Sequence, residues 1–255
     1  MLEKRVIPSL LLKDGFLHKG KNFSNHRYVG DPINAVRLFN EKKVDELCIF
    51  DITKSIESKS PDINLLESIV SEAFMPISYG GGIASVDQAD ELFKIGIEKI
   101  FLNSSYFQDF DLINQLTDKF GVQSICLSID YKKNIFRKRN VYTLSGQRNT
   151  KIDLYEVIES LKNINIGELL LTCIDAEGTK SKIDYEAAEY ASSNLKCPVI
   201  YSGGVSSFKD IKELLQILTL SGVSVGNMFT FHGKLEGVLI SYLNEEELKI
   251  IRNEI

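Results

Sequence analysis

Ile77–Ala84 reads ISYGGGIA, and 122 positions on from its tyrosine the chain repeats the pattern at Tyr201–Ser207, YSGGVSS, against YGGGIAS at Tyr79–Ser85. The match extends downstream, with Glu91 and Leu92 falling on Glu213 and Leu214. Each copy reads as a short apolar strand, a glycine turn and a helix. Ser85 has Gln88 three residues on and Ser207 has Asp210, which suits both serines as helix N-caps. Adjacent glycines let a backbone turn its N–H groups onto a ligand, and a helix N-terminus favours an anion there. Two such turns in one chain fit a ligand with two phosphates. Taken singly, each is equally well a tight turn.

The rest of the chain fits a repeated strand–helix plan. Apolar runs near Val6–Leu11, Leu47–Asp51, Ile77–Tyr79, Ile100–Asn103, Ser124–Asp130, Leu169–Asp175, Val199–Ser202 and Val223–Gly226 are almost continuously hydrophobic, as in parallel strands buried on both faces. Helical patterns such as ADELFKIG and KDIKELLQIL lie between them. Alternation of this kind, over 255 residues with 44% hydrophobic content, predicts an α/β fold: a single (β/α)8 barrel domain spanning 1–255. A doubly wound open sheet is the alternative, but the first strand is followed by no G-x-G-x-x-G, and the chain holds no G-x-x-x-x-G-K-[ST]. FDITKS at 50–55 echoes IDAEGTKS at 174–181, setting Asp51 against Asp175. IFLNS at 100–104 aligns with SVGNM at 224–228, setting Asn103 against Asn227. Two similar half-barrels are therefore expected, with chemistry at the C-terminal strand ends, where Asp51, Asn103, Asp130, Asp175 and Asn227 fall.

Two connections exceed simple turns. Lys13–Asp31, KDGFLHKGKNFSNHRYVGD, reads as a long polar loop, and loops of that length often serve as lids. Its Lys19, Lys21 and Arg27 either reach a phosphate or are merely solvated. After the fifth strand, YKKNIFRKRNVYTLSGQRNTK reads as a basic hairpin over the same rim.

Composition excludes several classes of function. Lys+Arg 30 against Asp+Glu 35 gives a net charge of −5, with no general attraction to nucleic acid or acidic membranes. MLEKR opens no secretory signal, and no apolar run approaches the ~18 residues of a membrane span. Cys48, Cys126, Cys173 and Cys197 are far apart without a C-x-x-C pair, which predicts buried reduced thiols, no metal site and a cytoplasmic location. His18 and His26 fall in the polar loop and His232 after the last strand; none is taken as a general base.

Several segments together resemble a known family. MLEKRVIPSLLLKDG, KGKNF, GDP, DELCIFDIT, GGGI, EKIFLNS, SID, YTLSGQRNT, GELLLTCIDAEGTKS and SGGV look like the cyclase subunit of imidazole glycerol phosphate synthase, in order and over essentially the whole chain. The resemblance implies a barrel of two similar halves and a lyase-type activity in histidine biosynthesis. It also implies a separate glutaminase subunit that supplies ammonia, a bisphosphate substrate and no cofactor. It places Gly82, Asn103 and Ser104 at one phosphate and Gly178, Gly204, Gly226 and Asn227 at the other, with Lys19 on a mobile loop that covers the substrate.

At the opposite face, Arg5, Glu46, Lys99 and Glu168 directly precede the first, second, fourth and sixth strands. Charges there are ordinarily solvated ends. The family, however, uses two basic and two acidic residues as a salt-bridged gate for ammonia, and all four match in type. An apolar interior passes NH3 rather than NH4+, because an unpaired buried charge is costly.

The resemblance breaks at one catalytic position. The family places an aspartate near the end of strand 1, in C-L-D-V, and another at the end of strand 5. Asp130 matches the second, but the first is Leu11, in PSLLLKDG. Leucine carries no proton, and a positioned acid or base contributes a factor of ~10²–10⁴ in rate. The acidic residue before the strand-6 glycine is Glu177, and Asp51 and Asp175 are expected at the rim as partial substitutes. Three readings are open: a paralogue passing ammonia to another acceptor, for example in surface-sugar amidation; an ordinary histidine-pathway cyclase; and a non-catalytic barrel that activates the glutaminase.

Overall fold

The computed structural model describes residues 4–134, 136, 138–179, 183–217, 219–233 and 235–254. Eight parallel strands close into a barrel: β1 (Arg5–Lys13), β2 (Leu47–Asp51), β3 (Ile77–Gly80), β4 (Lys99–Leu102), β5 (Ile125–Lys133), β6 (Glu168–Cys173), β7 (Val199–Ser202) and β8 (Gly222–Val225). Each pairs with the next, and β1 closes the ring on β8 with Arg5 opposite Gly222 and Val6 opposite Val223. The main helices are α1 (Pro32–Glu41), α2 (Ile63–Val70), α3 (Val86–Lys94), α4 (Asp111–Phe120), α5 (Leu154–Leu161), α6 (Tyr185–Asn194), α7 (Phe208–Leu215) and α8 (Glu245–Glu254), one after each strand. This is the single (β/α)8 barrel that the alternation predicts.

The halves repeat in backbone detail. Ser85 and Ser207 both cap their helices at φ −150° and ψ 161°, accepting from the N–H of Gln88 and Asp210. Gln88 and Asp210 answer by accepting from Ala84 N and Ser206 N. Each turn is therefore a reciprocal capping box, which satisfies two otherwise orphaned donors.

Buried apolar residues form two clusters. The large one fills the shell between strands and helices. The small one, Ile7, Cys48, Phe101, Cys126, Leu170 and Ile200, fills the lumen, since alternate residues of every barrel strand face inward. Cys48, Cys126 and Cys173 are buried free thiols, whereas Cys197, expected buried, is half-buried in the turn before β7.

Several boundaries differ from the sequence reading. Strands β4, β6 and β8 begin one residue earlier than expected and end before Asn103, Asp175 and Gly226, because the functional turns draw those backbone groups out of the ladder. The stretch 13–31 is no loop. Phe16–Lys21 and Ser24–Gly30 form an antiparallel hairpin that continues β1, pairing Leu11 with His18 and Leu12 with Leu17. Asn22 and Phe23 turn it with φ of 53° and 58°. Burial of Leu17 and Lys19 holds it inward. The basic hairpin after β5 forms as expected, from Arg139–Thr143 and Arg148–Asp153. Ile135 and Arg137 of that segment, and Lys180 and Ser181 of the repeated motif, lie outside the described residues. Among the described residues, no helix is long and apolar enough to cross a membrane.

The second hairpin is fastened by a buried ion pair. The Arg139 guanidinium donates to both oxygens of Asp184, at 2.8 Å each, and to Glu186 at 2.7 Å. Burial alone would raise the Asp184 carboxyl, but Arg139 outweighs it and holds it below the usual range. A depressed carboxyl stabilises the fold above its unfolded value, ~3.9, and that contribution is lost as pH falls through the lower folded value. Arg139→Met is expected to cost about 3 kcal/mol in urea unfolding at neutral pH by stranding Asp184. The deficit shrinks in acid as Asp184 protonates.

Candidate active site and ammonia gate

At the C-terminal mouth of the barrel lies a cavity of about 310 Å3. Its wall includes Leu11, Lys19, Asp51, Gly82, Asn103, Ser104, Asp130 and Glu177. The cavity thus brings together the first glycine turn, the strand-5 carboxylate and Leu11. Gly82 has φ 70°, and a Cβ there would strike the Lys59 carbonyl. Its N–H points at Ser55 Oγ, 3.3 Å away. The turn of the second hairpin closes over this wall: Leu144 N donates to Ser104 Oγ at 2.9 Å, and Ser145 Oγ to the Ile52 carbonyl at 2.8 Å.

The matching residues of the second half are covered. Asp175, Gly178, Gly204, Gly226 and Asn227 do not line the cavity. The first hairpin lies against them: Asn22 N donates to the Glu177 carbonyl at 2.8 Å, and a Cβ at Gly178 would strike the Gly20 carbonyl. Gly178 has φ 70°, so glycine serves both the turn and the close approach. Lys19 is buried, with Nζ 3.7 Å from Glu177 Oε1 and beside the Cα of Gly226. Burial lowers its ammonium, which Glu177 partly restores. Its Nζ, Ser224 Oγ and Asn227 Oδ1 are buried without a hydrogen-bond partner, polar groups that suit a polar ligand. Lys21 and Arg27 turn away instead, Lys21 to Glu236 at 3.5 Å and Arg27 onto the Phe231 ring at 4.7 Å.

Asp130 is a buried carboxyl on the cavity wall. Asn103 Nδ2 donates to its Oδ2 at 3.0 Å, and Ser128 Oγ lies 3.4 Å from Oδ1. Burial pushes its carboxyl up to about 7, against the pull of the Thr172 and Ser128 hydroxyls. A carboxyl poised near neutrality serves as either proton donor or acceptor. Asn103 is thereby committed to Asp130 and to the Ser128 carbonyl, at 2.8 Å.

The rim aspartates are differently placed. Asp51 Oδ1 accepts from Thr53 N, Thr53 Oγ1 and Lys54 N, so it stabilises its own turn. Asp175 accepts from Lys133 N at 2.6 Å, outside the cavity. His26 does line the cavity, a position that the loop reading of 13–31 hid. No periodic signal in this short polar segment marks it.

At the other end of the barrel the four charged strand starts meet. Arg5 donates to Glu46 at 2.8 Å and to Glu168 at 2.6 Å. Lys99 reaches both carboxylates at 3.2 Å, and Ser78 Oγ adds a hydrogen bond to Glu46 at 2.8 Å. Burial opposes the charge on Arg5 and Lys99, yet the two carboxylates outweigh it and hold both cations above their ordinary values. The result is a closed, alternating ring. Directly above it stand Ile7, Cys48, Phe101, Cys126, Leu170 and Ile200. Burial pushes the two thiols up, so they stay neutral. The side chains packed between ring and cavity therefore include no charged one among the described residues. Among the same residues, no group of His, Cys, Asp and Glu is arranged to hold a metal ion.

A family profile described as "Histidine biosynthesis protein" matches residues 5–236. A putative imidazole glycerol phosphate synthase subunit hisF2 from Pseudomonas aeruginosa is 41% identical, over 98% of this chain and all of that protein. A putative subunit HisF from Leptospira interrogans is 40% identical over 97% of this chain and 98% of its own length. The imidazole glycerol phosphate synthase subunit HisF of Streptococcus mutans is 34% identical over 91% of this chain and 92% of its own. With the barrel, its two-fold repeat and these full-length matches together, the chain belongs to the histidine biosynthesis protein family, within its HisF branch.

Proposed function

We propose that this chain is the ammonia-using, lyase-type subunit of a glutamine-dependent synthase of the imidazole glycerol phosphate type. A separate glutaminase docks at the N-terminal face and releases NH3 beside Arg5, Glu46, Lys99 and Glu168. Neutral ammonia passes the lumen and meets a bisphosphate-class ligand in the cavity. Gly82, Asn103 and Ser104 flank one phosphate in the cavity; Gly178, Gly204, Gly226 and Asn227 flank the other once the hairpin that carries Lys19 lifts from them, and Asp51 and Glu177 edge the site. The observation that carries this reading is the ring of four paired charges beneath an uncharged lumen that leads to Asp130. A solvated strand end has no need of a closed ring.

Leu11 on the cavity wall favours an acceptor other than that of the histidine pathway, such as a surface sugar awaiting amidation. A carboxylate dyad there is replaced by Asp130 and an apolar wall. The retained phosphate cradles support a second reading, an ordinary histidine-pathway cyclase. A non-catalytic activator of the glutaminase is a third, and the poised carboxyl of Asp130 counts against it.

Three outcomes test the proposal. Incubation with the bisphosphate substrate of imidazole glycerol phosphate synthase and ammonium chloride is expected to give slow loss of substrate, accelerated in Leu11→Asp. Wild-type turnover of about 1–10³ s⁻¹ would favour the ordinary cyclase instead. Lys99→Ala is expected to depress glutamine-dependent activity of the reconstituted complex more than activity with free ammonium. Equal losses would remove the channel. Asp130→Asn should lose about 10²–10⁴ in turnover. A carboxyl whose folded value is raised destabilises the fold as pH climbs from its unfolded value through about 7. Asp130→Asn should therefore melt higher than wild type at pH 8 and close to it at pH 4, as read by thermal unfolding.

A further inference from the structure

Six ionisable side chains line the cavity: Lys13, Lys19, His26, Asp51, Asp130 and Glu177. Their contacts separate them. Asp51 is held by three hydrogen bonds within its own turn. Lys19 and Glu177 face each other at 3.7 Å. Lys13 ends β1. Asp130 and His26 remain, a carboxyl and an imidazole on the wall of one cavity. Any replacement of a leaving group by ammonia calls for two such groups, because the attacking nitrogen sheds a proton and the leaving group takes one.

We propose that His26, carried on the closed hairpin, is the second acid–base residue of this cavity and works with Asp130. The proposal rests on the reading that the cavity aminates a bisphosphate-class acceptor. Ammonia forms a C–N bond as the bond to the leaving group breaks. His26 takes a proton from the new nitrogen, and Asp130 gives one to the leaving group. His26 then releases its proton to solvent and Asp130 takes one up, which resets the site, so that NH3 and R–X become R–NH2 and HX.

Three observations favour His26 for the role. Its ring packs on Gly20, where a Cβ would lie 3.0 Å from His26 Cδ2, so the hairpin fixes its direction. Burial, then Lys13, His18 and Lys19 facing it, lower its basicity and keep it neutral near pH 7. The negative groups on the neighbouring walls, Asp51, Asp130 and Glu177, are not among the causes that set it. His18 differs: it pairs with Leu11 across the hairpin but bonds the Phe16 carbonyl and packs on the exposed Tyr28 ring. Leu11 itself carries no proton, and the hairpin that continues the same strand brings His26 to the wall.

The test tracks the imidazole signals of the three histidines by NMR, with His26 assigned by its loss in His26→Gln. His26 is expected to titrate below the ordinary ~6.5 and to move when the bisphosphate substrate of imidazole glycerol phosphate synthase is added. Binding of that probe, lost in Lys19→Ala, with an unmoved His26 signal would overturn the role of His26 and leave the cavity assignment standing. Failure of the wild type to bind the probe would overturn the cavity reading, and this proposal with it. Ammonia-dependent turnover of the probe should fall about 100-fold in His26→Gln and recover in the His26→Gln/Leu11→Asp double variant. A loss of less than tenfold would also overturn the role, and an unchanged melting temperature keeps the loss from being one of folding.

Discussion

Four charges at the inner edge of a barrel are tolerable only if each is paired on both sides. Arg5, Glu46, Lys99 and Glu168 meet that demand by alternating in sign around the floor. Breaking such a ring would strand a buried carboxylate, since the side chains of Glu46 and Glu168 are only 5% and 8% exposed. The ring is thus both a seam that closes the barrel and the one polar layer beneath an apolar lumen. Everything above it depends on this neutrality. A net charge at the floor would raise the cost of the Cys48 and Phe101 layer and change the field felt by Asp130.

The upper half of the site obeys the same desolvation rule with the opposite result. Asp130 has hydrogen-bond donors but no cation beside it, so burial keeps its carboxyl near neutrality instead of locking it ionised. Lys19 is buried with Glu177 nearby, and its ammonium is lowered by burial rather than raised by a full pairing. One barrel therefore holds a ring of mutually paired charges at one end and more loosely partnered acids and bases at the other. That difference suits a static seam at the floor and proton exchange at the mouth.

The two-fold repeat has been used unequally. Both glycine turns retain the same cap geometry, yet only the first opens on the cavity. The first hairpin covers the second, through Asn22, Gly20 and Lys19. Symmetry of backbone has survived while symmetry of access has not, because the hairpin after β1 packs directly on Glu177, Gly178 and Gly226 beside the second turn.

By itself the sequence determined the barrel, the doubled glycine turns with their serine caps, and the four charges at strand starts. Those are local or periodic properties: apolar runs, turn residues and the position of a charge at the start of a run. It also displayed Leu11 where an acid was expected. The hairpin at 13–31 was illegible because its residues are polar and its turn is made by Asn22 and Phe23 rather than by glycine. Only the fold decided that Lys19 points inward while Lys21 and Arg27 point away, that Asp175 serves a backbone amide, and that His26 reaches the cavity wall. Each of these depends on pairing across strands far apart in sequence, and a two-residue alternation within a short polar segment does not reveal which face is covered.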